Sequence, residues 1–406
     1  MADDCKKRNH GLKIMDRNEK SLLEKEFHGF CRKVKEYKYV CLFGVGKKAE
    51  HWGYEFVQEW GTGNITCFSD NNPKMWGKEI IDGLRCVPPT ELIQYGKDLF
   101  CVIATNEANF KQISEQLEKL GMDHVFLNHA WFRLDEVIGR CLEIKLPKAW
   151  GGKNQLGKYQ KEIGSDTRIA VYTCILGQYD DLRQPAICDS RCDYYFLGFE
   201  EQKNIGIYQW IDISGKLPEG LELKDLTRIN RYCKMHPHIF FPQYNYSIYV
   251  DGSIQIQTEV ARLIQKIGRI GIASYGMPTA DDVYEHAASL FYYCNAMGEE
   301  HGKEKMRKQL QRYIEEGFPR YFGLTENGVM VREHNNKDCI RVMETWWKEV
   351  LNNSRRDQLS FMYAVWKNGF TLQDIGYIDD TFRNGPEFKF CAGHNKEYEG
   401  TLKFNR

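Results

Sequence analysis

Long apolar runs are what the sequence most plainly lacks. No stretch approaches the about 18 residues that a membrane-spanning helix needs, and the opening MADDCKKRNHGLK is charged. A bilayer span and an export signal are therefore not expected. The expectation is a cytoplasmic protein, compatible with peripheral membrane association and with oligomers. An excess of one charge is also missing, since Lys+Arg and Asp+Glu both number 56. Nothing thus favours nucleic acid or an acidic lipid surface as a partner. The 14 cysteines include no C-x-x-C pair, so neither a zinc knuckle nor a redox dithiol is encoded locally. Cys41, Cys67, Cys101 and Cys174 lie inside apolar runs and read as reduced, buried thiols. What is present is a chain of 406 residues, enough for two or three domains, with 13% aromatics to build pockets.

The fold class expected is α/β, in two domains joined by a linker: residues 1–145, 146–166 and 167–406. Residues 14–37 alternate apolar and charged at helical spacing. A buried strand then runs into G-x-G-x-x-A at Gly44, Gly46 and Ala49, and a second strand ends at Asp70. Glycines there permit a tight turn and close approach of a phosphate, and an acid ending the second strand suits a ribose hydroxyl. Gly44, Gly46 and Asp70 are accordingly the candidate N-terminal nucleotide site of a Rossmann-like parallel sheet. The segment KLPKAWGGKNQLGKYQKEIGSDT has few large apolar residues and marks the linker.

A second α/β unit begins at RIAVYTCILGQYDDLRQP. Its centre is SIYVDGSIQI, an apolar strand that delivers Asp251 into a Gly-Ser turn, with Ser253 two residues on. In α/β folds ligands bind at that carboxyl edge of the sheet. Upstream, Arg228, Arg231 and Lys234 recur every third residue, which on a helix gathers three cations near one face. Cations beside one strand-end acid suit a nucleoside diphosphate held with a metal; a solvated basic helix beside an Asp-Gly turn is the plainer reading. Further on, METWWKEVLN reads as a helix, and Trp346, Trp347 and Trp366 are exposed-looking aromatics suited to an interface or an acceptor groove. GLTENGVMVREH reads as a β-hairpin turning at Glu326-Asn327-Gly328, with Arg332 and His334 on its second strand as candidates for the acceptor side or the phosphate, or equally as solvated strand-end charges. In SRRDQLSFMYAVWKNG, Asp357 and Gln358 open a helix, and S-R-R-D approximates a capping box. Glu285, within YEHA, reads as a surface residue of an amphipathic helix.

Two resemblances cover much of the chain. Residues 39–128, through FGVGKKA, FSDNNPKMWGKEIIDG and VPPTEL, resemble the N-terminal nucleotide-binding domain of bacterial sugar-modifying acyltransferases. Residues 168–369, through VYTCILGQYDDLRQP, CDYYFLGFE, RINRYCKMHPHIFFPQYNYSIYVDGSIQI, YEHA and RRDQLSFMYAVWK, resemble a glycosyltransferase-like family. That family includes plant mucilage and turgor-regulation proteins and bacterial capsule-region homologues. The second resemblance implies a GT-A-like mixed α/β domain that moves a sugar from a nucleotide-sugar donor, UDP-sugar favoured, to a glycan or polysaccharide acceptor, with surface or capsule polysaccharide biosynthesis as the setting.

Carried onto this chain, the resemblance implies donor binding by Thr173, Gly177, Tyr179, Asp180, Arg228, Arg231, Lys234, Asp251 and Ser253. Asp357 and Gln358 would serve catalysis. Asp251 takes the first position of the Asp-x-Asp motif of metal-using GT-A enzymes, where Ser253 replaces the second acid. An Mn2+ or Mg2+ ion would rest on Asp251 and on His394 in AGHNK. Two alternatives stand beside this. One is a nicotinamide-dependent oxidoreductase centred on Gly44, Gly46 and Asp70, although no Tyr-x-x-x-Lys pair stands directly behind the first domain. The other is a non-catalytic glycan-assembly protein, given the incomplete acidic motif.

Overall fold

A computed structural model describes residues 15–46, 53–61, 65–201, 205–292, 302–383 and 385–391. The smaller of its two units comprises Met15–Glu143 with Ala288–Lys303, the larger Ile144–Ala287 with Glu304–Arg406.

In the smaller unit the strands are β1 (Tyr39–Phe43), β2 (Ile65–Ser69), β3 (Glu79–Ile81), β4 (Leu84–Val87), β5 (Leu99–Ile103) and β6 (Asp123–Phe126), and the helices are α1 (Arg17–Glu36), α2 (Tyr54–Trp60), α3 (Glu107–Lys119) and α4 (Asp135–Leu142). The sheet order is β3-β4-β2-β1-β5-β6, parallel except where β3 meets β4. Strand β5 is buried throughout and β1 from Val40 to Phe43, as parallel strands covered on both faces must be. A capping box of Asp16 and Glu19 starts α1, whose Phe27, Phe30 and Val34 face inward. Phe27 packs edge-on against Trp60 at 4.9 Å, and Phe30 lies 4.7 Å from Trp131.

The larger unit holds β7 (Ile169–Cys174), β8 (Cys192–Gly198), β9 (Gln209–Asp212), β10 (Tyr246–Val250), β11 (Ile254–Ile256), β12 (Ile272–Gly276), β13 (Thr325–Arg332), β14 (Gly376–Tyr377) and β15 (Phe388–Phe390). Its helices are α5 (Leu226–Met235), α6 (Pro237–Phe240), α7 (Val283–Phe291) up to Ala287, α8 (Gly302–Glu315) from Glu304, α9 (Lys337–Asn352) and α10 (Phe361–Lys367). The seven-stranded sheet runs β14-β12-β13-β10-β7-β8-β9. Strands β10, β7, β8 and β9 are parallel, and β13 runs antiparallel between β10 and β12. The class is mixed α/β with parallel-dominated sheets.

Several local expectations change here. The Glu326-Asn327-Gly328 segment is not a hairpin turn but lies within the single strand β13. Its pairing with β12 slips between Ala273 and Tyr275, so the extra residues form a bulge. The reason is burial: Gly328 hydrogen-bonds through its carbonyl to the Asp251 N–H at 2.9 Å, and a Cβ on it would approach Ile254 and Phe382. The 146–166 stretch is not a free linker. It bridges to Arg320 through Ala149 and to Gly376 through Gly157, and Lys161 donates to the Gln265 carbonyl at 2.8 Å. Short apolar residues were too few to signal an edge held by backbone pairing alone. Trp346 and Trp347 are buried rather than exposed.

Candidate functional site

The centre of the larger unit's sheet is β10, buried along Ser247–Val250, and it ends in Asp251. Beside it, α5 begins at Asp225, whose carboxylate accepts the Arg228 N–H at 3.0 Å. Its inner face buries Ile229, Tyr232, Cys233, Lys234 and Met235. A lysine on that face is costly unless its charge is met. Lys234 is 1% exposed, and its Nζ donates to Asp357 Oδ2 at 2.7 Å and lies 3.8 Å from Asp251 Oδ1. Arg231, one turn earlier, places Nε 3.4 Å from Asp357 Oδ2 and Nη1 4.0 Å from Asp251 Oδ1. Two cations thus stand between two carboxylates that come from distant parts of the chain.

The electrostatics follow from this interleaving. Burial by itself would raise the Asp357 carboxyl, but Arg231 and Lys234 hold it down at about 2. Burial works against the Arg231 charge too, yet Asp357 and Asp251 raise its pKa above the ordinary value. Tyr249, on β10, is pushed well above the usual phenol range by burial and then by Asp251. The Lys234 ammonium sits 5.2 Å from the Tyr249 ring and 5.7 Å from the Trp346 ring. Trp346 also donates its indole N–H to the Asp357 carbonyl at 2.8 Å, fixing the short 3-10 turn Asp357–Leu359.

The capping-box reading of Asp357 does not apply. Arg356 is the cap residue of that turn and makes no side-chain cap bond, and the Asp357 carboxylate points to the cations. Gln358 donates its amide to the Thr325 carbonyl at the start of β13. The loop after β7 also approaches: a Cβ on Gly252 would meet Ile175 at 2.8 Å and Asp180 Oδ2 at 3.1 Å. Gly177 and Gln178 in that loop both take left-handed backbone, a conformation unusual for glutamine. Tyr179 is half-buried, and Thr173, on β7, has a buried hydroxyl without a hydrogen-bond partner among the described residues. Ser253 accepts the Cys391 N–H through its carbonyl at 2.8 Å.

Arg228 does not join the cluster. A residue six positions from Lys234 lies about 120° around the helix from it. Arg228 instead pairs with Asp225 and donates to the carbonyls of Val350 and Asn353, each at 3.0 Å. Arg332 and His334 are neither solvated nor facing a ligand. Arg332 is fully buried, and His334 hydrogen-bonds to the Phe241 carbonyl, with burial lowering its pKa to about 4. Glu285 is buried as well, beside Asp282 and Arg320, and burial with Asp282 and Asp281 raises its carboxyl to about 8. Tyr249 contributes to the site's frame without a sequence signal of its own, because it sits in an apolar run that reads as core. Trp346 and Arg332 join that frame from inside the core, not as the exposed aromatic and the strand-end charge or phosphate contact that the sequence suggests.

His394 lies outside the described residues. Among the described residues no group of three or more His, Cys, Asp and Glu could hold a metal ion. Asp251 offers one carboxylate, followed by Ser253 where a second acid would stand, and its Oδ1 already faces Lys234 and Arg231. Mg2+ or Mn2+ wants several oxygen ligands in close array. The donor set described does not fit such an ion.

In the smaller unit, Gly44 is left-handed, and a Cβ there would meet Thr105 at 2.9 Å and the Ala104 carbonyl oxygen at 3.1 Å. Nothing stands within 4 Å of a Cβ on Gly46. Asp70 accepts the Val45 N–H at 3.0 Å and the Asn72 N–H at 2.7 Å, so both of its oxygens close the turn.

An acid-and-cation cluster at the carboxyl edge of a parallel-dominated sheet defines the larger unit as an α/β domain with the elements of a polar-ligand site. The family described as "TOD1/MUCI70, glycosyltransferase-like domain" matches residues 147–375, more than half of the chain. The chain belongs to that family. No curated protein matches it. Among solved structures it is similar to the bifunctional glycosyltransferase WbbM in its apo form, at 9% identity and a TM-score of 0.32, over 61% of this chain and 49% of that one. The chain thus spans about half the length of that protein. Among the described residues no helix is long and apolar enough to cross a membrane.

Proposed function

We propose that the larger unit is a GT-A-like glycosyltransferase that moves a sugar from a nucleoside-diphosphate sugar, UDP-sugar favoured, to a glycan or polysaccharide acceptor in surface polysaccharide biosynthesis. The observation that carries this reading is the convergence of Arg231 and Lys234 on Asp251 and Asp357. In the transfer, the bond between the anomeric carbon and the diphosphate oxygen breaks and a bond to an acceptor hydroxyl oxygen forms. Negative charge grows on the departing diphosphate, where Arg231 has the planar fork for phosphate oxygens and Lys234 a point charge. Positive charge grows at the anomeric carbon, where an ionised Asp357 is a fixed counter-charge. With its carboxyl held at about 2, Asp357 is a poor proton acceptor. The acceptor's proton passes instead to the departing phosphate, whose second ionisation lies near about 6. The loop carrying Gly177, Tyr179 and Asp180 supplies the base and ribose contacts, with Tyr179 available for stacking.

The test is release of UDP from a panel of UDP-sugars, without and with oligosaccharide acceptors. Turnover that disappears in Asp251→Asn and Asp357→Asn protein of unchanged circular dichroism supports the reading. Turnover untouched in both variants, or tight binding of a reduced nicotinamide nucleotide with none of UDP, overturns it.

A further inference from the structure

Arg332 is a large cation, fully buried, that no carboxylate meets among the described residues. Its partners are neutral. Nη1 donates to the Lys234 carbonyl at 2.7 Å and approaches Met343 Sδ at 3.5 Å, and Nη2 donates to the Tyr172 hydroxyl at 2.6 Å. The Tyr172 hydroxyl in turn donates to the same Lys234 carbonyl at 2.8 Å. Its Nε has no hydrogen-bond partner among the described residues. A guanidinium without a neighbouring anion is an expensive thing to bury, and an apolar side chain of similar volume would often serve packing as well. Stability alone therefore gives little reason for this residue.

Its position gives one. The carbonyl it holds belongs to the last turn of α5, where a cation is favoured by the helix dipole, and the same residue sends its side chain into the site. The charge count adds a second reason. Asp251 and Asp357 cancel Arg231 and Lys234, so these four groups alone carry no net charge with which to attract a diphosphate. Within the network joined through Lys234, Arg332 makes the count three cations (Arg231, Lys234 and Arg332) to two acids (Asp251 and Asp357).

We infer that Arg332 is a positioning residue for the diphosphate site: it fixes the end of α5 so that the Lys234 ammonium meets Asp357, and its uncompensated charge makes the cluster attractive to an anion. This rests on the nucleotide-sugar reading above, and UDP is the probe.

The experiment measures UDP affinity for the full chain by calorimetry across a salt series, for wild type, Arg332→Met and Arg332→Lys. Arg332→Met is expected to weaken UDP binding about tenfold or more at low salt and to flatten its dependence on salt, while retaining its unfolding midpoint or exceeding it. Arg332→Lys keeps the charge and loses the fork, so it should recover the salt dependence and only part of the affinity. Wild-type affinity and salt slope in Arg332→Met overturn the inference and leave the nucleotide-sugar reading standing. An affinity loss in Arg332→Met with an unaltered salt slope, which lysine does not repair, also overturns it, because packing alone would explain that. Should Arg332→Met not fold, equal salt slopes for wild type and an Arg332→Gln variant would overturn it in the same way. Wild-type protein that binds no UDP removes the nucleotide-sugar reading, and the inference falls with it.

Discussion

Replacing Asp357 by asparagine keeps the shape of the side chain and removes only its charge. Lys234 and Arg231 would then share Asp251, at 3.8 and 4.0 Å, as their remaining carboxylate. The size of the loss can be worked from the carboxyl itself. Its pKa falls from an ordinary 3.8 to about 2 in the folded chain, and that interval corresponds to about 2 kcal/mol of preference for the ionised form. Removing one partner of a buried pair costs about 3 to 5 kcal/mol in other proteins, and the asparagine oxygen still accepts from Lys234, so about 2 to 4 kcal/mol is expected. Because the folded pKa is depressed, this stability is present above pH 3.8 and is lost as pH falls toward about 2, where the wild-type acid takes up its proton. Urea titrations of wild type and Asp357→Asn should therefore differ most at neutral pH and converge as pH falls through that window. A difference below about 0.5 kcal/mol at pH 7, or one that stays constant down to pH 2.5, would refute the argument that Asp357 is a paired, ionised group.

Arg228→Gln should cost about 1 to 2 kcal/mol of stability through lost bonds to Val350, Asn353 and Asp225, with UDP affinity unchanged in calorimetry. Gly252→Ala puts a methyl 2.8 Å from Ile175 and 3.1 Å from Asp180, so about 1 to 3 kcal/mol of overpacking and a weaker UDP complex are expected in thermal-shift and binding assays. Stripping divalent ions with EDTA should change UDP affinity by less than about threefold relative to Mn2+. A tenfold or greater tightening by Mn2+ would put an ion at Asp251, with a ligand from beyond the described residues.

Much of the larger unit could be read along the chain because parallel strands buried on both faces announce themselves as continuous apolar runs. Strands β7 and β10 are of that kind, and Asp251 is legible as the residue that ends one. The pairing of Asp251 with Lys234 and Arg231 was also accessible, since helical spacing brings the last two together. What spacing does not carry is drift: three residues are less than one turn, so the first cation of the series, Arg228, rotates away and becomes a brace for α9. Arg332 is legible as a candidate phosphate contact, but its burial is not. A charged residue at the end of a strand-like pattern reads as exposed, and only the sheet order, which sets β13 between two other strands, shows it to be interior. The Glu326-Asn327-Gly328 signal misled because the same residue types that turn a hairpin also accommodate a bulge.

The smaller unit sharpens what a glycine-rich turn can and cannot say. The pattern at Gly44, Gly46 and Asp70 is the one that suits a dinucleotide, and the parallel order around β1 agrees with it. Yet Gly44 is already required by the close approach of Ala104 and Thr105, and Asp70 already serves the turn through Val45 and Asn72. Gly44 and Asp70 thus have structural duties that persist with no ligand at all, whereas a Cβ on Gly46 would meet nothing within 4 Å. At Asp251 the situation is reversed. Its Oδ1 faces cations that a fold built only for stability would gain little by burying. Chemistry is therefore better sought where the arrangement is costly than where the motif is familiar, and in this chain that is the edge of the seven-stranded sheet.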